Sequence, residues 1–472
     1  MFIVTLLIGL LLLLLCFNSI RATVFITVLI GMLQDPIRKL VVGEPIYFTL
    51  LVGLFFGIGI IGALVRKGTH YFSPVAGVGG SLIYPLLLFL FVLLVQTFVT
   101  IIRYQEPALA AIGLIGYLAP LLAFPLTYYF VNNIEDVKTL LKLYISLSII
   151  LTIGVYLSFL GFDWKILKQV GEGLVIYDLG TIITAHSGFA RSPDIAAWHI
   201  AAGICMLGLV SVITGNRLNR IVIIVIMVAM ISAILLTGRR KMFMEVFLYL
   251  SFYLALLVFF KTSKNRMFIG LSILMLGVVV WLGIEIFFPE NYGHQADLYT
   301  QRGASVFEDA PKRLSNLGLG SIYSAIYRVG LLGAGTGTAS QGTRYFSDLS
   351  IAGGASEGGF GKILIELGVP GLLIIMWLLW RVANNIYLIF TYCNAYDSKT
   401  THICIAISAF LGVNIPTFIV ASQVYGDLYV LLVLGMFAGV IFATPKIVHT
   451  TGQQAVVSDD NVPETSFTYR ES

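Results

Sequence analysis

Residues 81–103 read SLIYPLLLFLFVLLVQTFVTIIR, and after Tyr104-Gln105-Glu106 the chain continues PALAAIGLIGYLAPLLAFPLTYYF over 107–130. At about 1.5 Å of rise per residue, each run covers the ~30 Å hydrocarbon core of a bilayer as a helix. Similar runs recur along the 472 residues, which are 58% hydrophobic and 11% charged, with a mean hydropathy of +0.94. That composition excludes the ordinary soluble globular class. Backbone groups in lipid must be satisfied within the segment, and the runs are too long and uniform for barrel strands. The expected fold is an all-α polytopic membrane protein.

Working outward, spans are expected near 2–20, 45–65, 81–103, 107–130, 138–160, 194–214, 219–237, 242–260, 267–288, 363–390, 400–421 and 424–444. Residues 22–33 would rise only ~18 Å before Asp35-Pro36, a short span or half-helix, so the total is twelve or thirteen. The first run lacks a basic stretch before it and has Arg21 after it, which reads as a retained span rather than a cleavable signal. The four cysteines, Cys16, Cys205, Cys393 and Cys404, lie in or beside apolar runs without metal-type spacing and read as small core residues.

Arg66-Lys67, Arg217 with Arg220, and Lys261 with Lys264 and Arg266 fall on one side of this topology, which the positive-inside rule makes cytoplasmic. The polar tail then lies inside and reads as unstructured. Residues 161–193 and 289–362 lie outside, together with the connector Thr237-Gly-Arg-Arg-Lys241. The expected units are residues 1–179 and 180–288 (transmembrane, the second with outer Arg motifs), 289–362 (a long extracytoplasmic loop), 363–446 (transmembrane) and 447–472 (tail). About half of the 29 Lys and Arg end up outside. Long translocated loops escape the bias, but Arg239, Arg240 and Lys241 sit in a connector of a few residues. An anionic partner explains them, whether ordinary lipid headgroups or a specific phosphate or pyrophosphate, for which Arg offers a bidentate fork.

Other candidates share that side. In His186-Ser-Gly-Phe-Ala-Arg191-Ser-Pro-Asp194, Ser192 and Pro193 read as the start of a helix, which leaves Arg191 and His186 as ligand candidates. The long loop carries Arg302, Arg313, Arg328 and Glu357. From Pro311 to Val329, apolar residues at 314, 317, 322, 326 and 329 predict an amphipathic helix lying on the outer surface, with Arg313 and Arg328 at its ends. Gly333-Ala-Gly-Thr-Gly337 is not a nucleotide loop, because no strand precedes it and no Gly-Lys-Ser/Thr follows. Its glycines, Gly335 and Gly337 included, allow close backbone approach to a ligand. Glu366, two turns into an apolar helix, is either functional or an Arg-paired structural carboxylate. No Asp-x-Asp or His cluster outside calls for a metal, and no cofactor or nucleic acid is expected.

The ordered set Gly188-Phe-Ala-Arg-Ser-Pro-Asp194, Thr237-Gly-Arg-Arg240, Gly333-Ala-Gly-Thr-Gly337 and Glu366-Leu-Gly-Val-Pro-Gly371 resembles the O-antigen ligase and O-antigen polymerase superfamily of bacterial membrane glycosyltransferases, over roughly residues 180–390. Glu357 stands where that family has a His, a departure that points to a divergent, exopolysaccharide-type branch. The resemblance implies a GT-C-like architecture in the bacterial inner membrane and a polyprenyl-pyrophosphate-linked glycan as donor. It also implies membrane lipids and other export or flippase proteins as partners. On that reading Glu357, Arg240 and Arg239 are catalytic. Arg191, Arg328, Arg313, Arg302, His186, Gly335, Gly337 and Lys241 bind substrate. The alternatives are a ligase that moves finished polymer to a lipid or protein, a transporter of lipid-linked sugars, and a non-catalytic scaffold. The absence of an internal repeat and the gathering of ionisable residues at one surface weigh against transport.

Overall fold

The computed structural model describes residues 2–76, 82–170, 175–178, 181–214, 217–259, 298–299, 302–303, 311–340 and 356–458. Among the described residues the helices of the first part are α1 Phe2–Asn18, α2 Ile20–Leu40, α3 Leu51–Lys67, α4 Ile83–Tyr104, α5 Pro107–Phe130, α6 Ile134–Phe159, α7 Pro193–Thr214, α8 Arg217–Leu236 and α9 Arg240–Phe259. Four follow: α10 Gly320–Val329, α11 Gly359–Tyr396, α12 Ser398–Val420 and α13 Leu428–Ser458. Among the described residues ten helical segments are long and apolar enough to cross a membrane, and Leu7–Asn18 and Ile221–Leu236 are shorter apolar helices. The chain is thus an all-α, multi-pass membrane protein. The expected span 267–288, and Lys261, Lys264 and Arg266 before it, lie outside the described residues.

The local chemistry explains several boundaries. Ser19 caps α2 by accepting a hydrogen bond from the Ala22 N–H at 3.2 Å, and Asn133 caps α6 through Asp136 N–H at 3.0 Å. The Asp397 carboxylate does the same for Lys399 and Thr400 at the start of α12. The α7 helix runs through the middle of the bundle: Ala197, Trp198, Ile200, Ala201 and Cys205 are all fully buried. A helix apolar on every side belongs in such a position. Trp198 donates its indole N–H to Asn414 Oδ1 (2.9 Å), which also accepts from Tyr425 OH (2.8 Å). That network satisfies the polar atoms at the centre of an otherwise apolar core. The four cysteines are buried free thiols, with Cys393 and Cys404 Sγ atoms 3.9 Å apart beside Thr444.

Three expectations need correction. First, residues 22–33 are not a half-helix: α2 runs unbroken from Ile20 to Leu40 with Pro36 inside it. Second, α11 starts at Gly359 and kinks at Gly368, whose φ of 69° interrupts the helix just before Pro370. Third, the tail is helical through Ser458. Within 161–193, β1 (Val175–Asp178) pairs antiparallel with β2 (Thr181–Thr184).

The amphipathic helix lies on the bundle surface, with Leu319, Tyr323 and Tyr327 exposed and Ala325 buried, and the segment after it folds inward. A single wide turn, Leu314–Leu319, leads into α10, which runs alongside the first part of α11: the Gly361 N–H meets Ser321 Oγ (3.2 Å), and the Val369 N–H meets the Leu331 carbonyl (2.8 Å). The chain then turns and climbs back along α11, with the Ala334 N–H on the Ile365 carbonyl (2.6 Å) and Ala339 N–H on Glu366 Oε1 (3.3 Å). The result is a hairpin folded into the bundle, reaching Gln96, eight residues (~12 Å) inside the end of α4.

Non-helical backbone in such a place needs partners, and it has them. Gln96 Nε2 donates to the Leu332 carbonyl (2.7 Å), Thr100 Oγ1 to the Thr336 carbonyl (2.9 Å) and Thr338 Oγ1 to the Gly335 carbonyl (2.6 Å). The glycines make the approach possible. A Cβ on Gly337 would sit 2.3 Å from the Leu109 carbonyl oxygen, and one on Gly335 2.3 Å from Thr100 Oγ1. Gly337→Ala is therefore expected to cost much more melting temperature than Gly43→Ala. Both positions have positive φ, but Gly43 has open space around it. Thermal unfolding of the two purified variants checks this, and equal losses would contradict the packing role of the hairpin.

Candidate functional site

At one end of the bundle the α8–α9 connector meets the first turn of α7. Asp194, placed there by the helix that Pro193 opens, accepts from two cations. Arg239 Nε lies 3.1 Å from Oδ2, and Lys241 Nζ 2.7 Å from Oδ1. All three side chains are less than a fifth exposed. Arg302 joins them, its Nε donating to the Gly238 carbonyl at 3.1 Å. Arg240, the first residue of α9, is half-buried beside them. Arg239 and Lys241 share this carboxylate in a place where water is scarce.

Lys241 also reaches across the end of the bundle, its Nζ 3.4 Å from Gln423 Oε1 in the α12–α13 turn. Gln423 lines a small polar cleft with Ala339, Ser340, Ser356, Lys362 and Ser422. Three segments build this cleft. The α12–α13 turn is strapped to the start of α11 by Ser422, whose N–H donates to the Glu357 carbonyl (2.8 Å) and whose hydroxyl donates to the Ser356 carbonyl (2.7 Å). The returning arm of the hairpin supplies Ala339 and Ser340. That arm is fixed by Glu366, which accepts from the Ala339 N–H and, at 2.7 Å, from Tyr117 OH. Glu366 thus accepts from a tyrosine hydroxyl and a backbone N–H, in place of the expected Arg. Hydroxyls, an amide and the Lys362 ammonium line this cleft.

Arg191 lies at the same end in a different setting. Its guanidinium is held between Asp427 (2.5 Å) and Asp35 (3.5 Å), and its backbone N–H donates to Asp35 Oδ2 at 2.8 Å. Burial works against its charge, but Asp427 and Asp35 outweigh that and push its pKa up. The fully buried Lys39 ammonium donates to the Gly188 and Ala190 carbonyls (2.7 and 2.8 Å), pinning the turn before Arg191. A second small cleft, lined by Gln34, Asp35, His199 and Asp427, adjoins the clamp. His199 bonds to Tyr144 through Nδ1 and stacks on Tyr429, whereas its buried Nε2 has no hydrogen-bond partner.

His186 is set against Ser158 Oγ (3.2 Å) and the rings of Phe159 and Tyr299, and burial lowers its pKa to about 4. Gly335 and Gly337 pack against α4 and α5, so their backbones approach protein rather than an open ligand pocket. Arg313 and Arg328 are exposed at the two ends of the hairpin helix. Glu357 is exposed at the rim next to Ser356. The structure thus brings Arg239, Lys241, Arg302 and Asp194 together and sets Lys362 on the adjoining cleft, with Glu357 next in sequence to its Ser356. It binds Arg191 in a clamp of its own.

Sequence reasoning missed Lys362, Gln423 and Ser422 as one wall, and Asp35, Lys39 and Asp427 as partners of the Arg191 segment. It also passed over Glu245, a fully buried carboxylate in the second turn of α9. The signal for Glu245 was present, since the rule applied to Glu366 applies equally to it. No protein-family model, curated protein or solved structure matches this chain.

Two measurements follow from the geometry. Arg191→Ala leaves Asp35 and Asp427 buried without their cation, a loss of roughly 3–5 kcal/mol. Adding Asp35→Asn and Asp427→Asn should return much of it, and a thermal-stability cycle on purified protein reads the recovery. For His186, the folded pKa lies below the ordinary value, so the unfolded chain binds the proton more readily between about pH 6.5 and 4. Stability should fall as pH drops through that window. His186→Gln should flatten that part of the profile.

Proposed function

We propose that this protein is a membrane glycosyltransferase that moves glycan from a polyprenyl-pyrophosphate donor to a sugar hydroxyl at the outer face of a bacterial inner membrane. The observation that carries this reading is the shared position of Lys241. Its ammonium joins the Arg239 and Asp194 cluster to the cleft of Lys362, Gln423 and three serines. Cations gathered beside a cleft of hydroxyl donors, at one end of an apolar bundle, suit a lipid-borne pyrophosphate. The lipid stays in the bilayer while the charged group enters from the side.

In this mechanism the glycosidic C–O bond to the donor phosphate breaks and negative charge grows on the pyrophosphate. Cations aimed at that oxygen stabilise the transition state more than the ground state. Arg239, Arg240 and Lys241 take that role, with Lys362 and the serine hydroxyls holding the outer phosphate oxygens. The acceptor hydroxyl attacks the sugar carbon and gives its proton to a base. Glu357, at the rim beside Ser356, is the candidate base, in the position where the resembling family carries His. Arg191, engaged by two carboxylates, supports the site by holding the turn before α7.

Polymerase and ligase readings share this chemistry and differ in the acceptor. Accumulation of lipid-linked single repeats in cells lacking the protein marks a polymerase, and accumulation of lipid-linked polymer marks a ligase. In cells, Arg239→Ala, Arg240→Ala, Lys241→Ala and Glu357→Gln should each abolish long-chain glycan with protein abundance intact, whereas Arg313→Ala should leave it near normal. Gel profiles of extracted glycan check this, and normal polymer in the first four variants would sink the mechanism.

A further inference from the structure

Glu245 lies one turn after Lys241 on α9 and is fully buried, and neither carboxylate oxygen accepts a hydrogen bond. The protons that could serve it are committed elsewhere. The Thr417 hydroxyl, beside it on α12, donates to the Val413 carbonyl at 3.0 Å. Tyr425 OH, from the α12–α13 turn, bonds to Asn414, and Tyr249 OH donates to the Cys205 carbonyl. The titratable groups in its electrostatic reach are Tyr144 on α6, Cys205 on α7 and Tyr425, all neutral near pH 7 in their ordinary state. Lys241 is the cation whose field reaches it. The same ammonium is bonded to Asp194 and lies against Gln423 of the cleft.

We propose that Glu245 is a proton-binding site coupled to occupancy of the cleft. When a phosphate-type anion draws the Lys241 ammonium toward itself, a proton from solvent binds a Glu245 carboxylate oxygen. The coupling follows from the cost of an enclosed carboxylate: with its cation shared out to a ligand, the ionised form has neither counter-charge nor hydrogen bond. Linkage makes the effect reciprocal, so proton binding at Glu245 strengthens anion binding at Lys241. The anion class rests on the proposed function; the coupling between Glu245 and Lys241 does not depend on which reaction follows.

The test uses the full-length protein in nanodiscs and infrared difference spectroscopy, which reads the C=O stretch of a protonated carboxylic acid. One arm adds inorganic pyrophosphate to zwitterionic discs. The other compares zwitterionic discs with discs carrying phosphatidylglycerol, without pyrophosphate. Calorimetry follows binding in the same samples. The expected result is a carboxylic-acid band that grows as the anion binds, is lost in Glu245→Gln and is shifted in Glu245→Asp. Growth in the first arm assigns the anion as a free phosphate compound, and growth in the second as a lipid headgroup. Binding without the band, or with the same band in Glu245→Gln, overturns the coupling and leaves the anion site standing. No binding in either arm overturns the anion site and the coupling together. Glu245→Asp retains the acid, so the test survives if the Gln variant fails to fold.

Discussion

A charge withdrawn from water into an apolar helix bundle must find an opposite charge, and that requirement organises one whole end of this protein. Arg191 joins Asp35 at the end of α2 to Asp427 at the start of α13. Lys39 reaches from α2 to the carbonyls before α7. Asp194 at the start of α7 takes Arg239 and Lys241 from the α8–α9 connector. Each pair links elements distant in sequence, so the helix ends are held in register by electrostatics as well as by the packing of Trp198, Tyr144 and Phe410 below them. Removing one member leaves its partner buried and uncompensated, which costs more than the pair contributes when whole.

The folded-back hairpin meets the equivalent demand for backbone. An irregular segment wedged among helices exposes N–H and C=O groups that have no ladder to join. Here α4 lends Gln96 and Thr100, and α11 lends the Ile365 carbonyl and the Glu366 carboxylate. The kink at Gly368 and the glycines at 333, 335 and 337 let these chains touch. This arrangement also fixes the cleft, because Ala339 and Ser340 follow directly from the anchored arm. Glu366 and Tyr117 thus shape the site without entering it.

The bundle itself was legible in the sequence because hydropathy over twenty residues is a strong signal and lipid leaves the backbone few choices. The helix start at Ser192 and Pro193 was legible from local capping chemistry. Residues 22–33 were misjudged because Asp35-Pro36 reads as a stop, whereas Arg191 and Lys39, more than a hundred residues away for the former, neutralise the carboxylate and let α2 continue. The inward fold of residues 332–339 was not legible, because the apolar spacing at 314, 317, 322, 326 and 329 marks one face of the helix and says nothing of the segment after it. The connector cations were found from their cost in a short loop. Their carboxylate partner, and the wall of Lys362 and Gln423, depend on tertiary contacts that no local pattern encodes.

The account stands on the claim that this end of the bundle breaks and forms a glycosidic bond on a pyrophosphate-linked donor. Its most direct test is the purified protein reconstituted in liposomes with a polyprenyl-pyrophosphate-linked glycan, with products separated by mass. The account predicts a new glycosidic bond together with release of the polyprenyl pyrophosphate, lost when Lys241 and Arg239 are replaced by Ala. Donor that crosses the bilayer or stays bound with every glycosidic bond unchanged would contradict it.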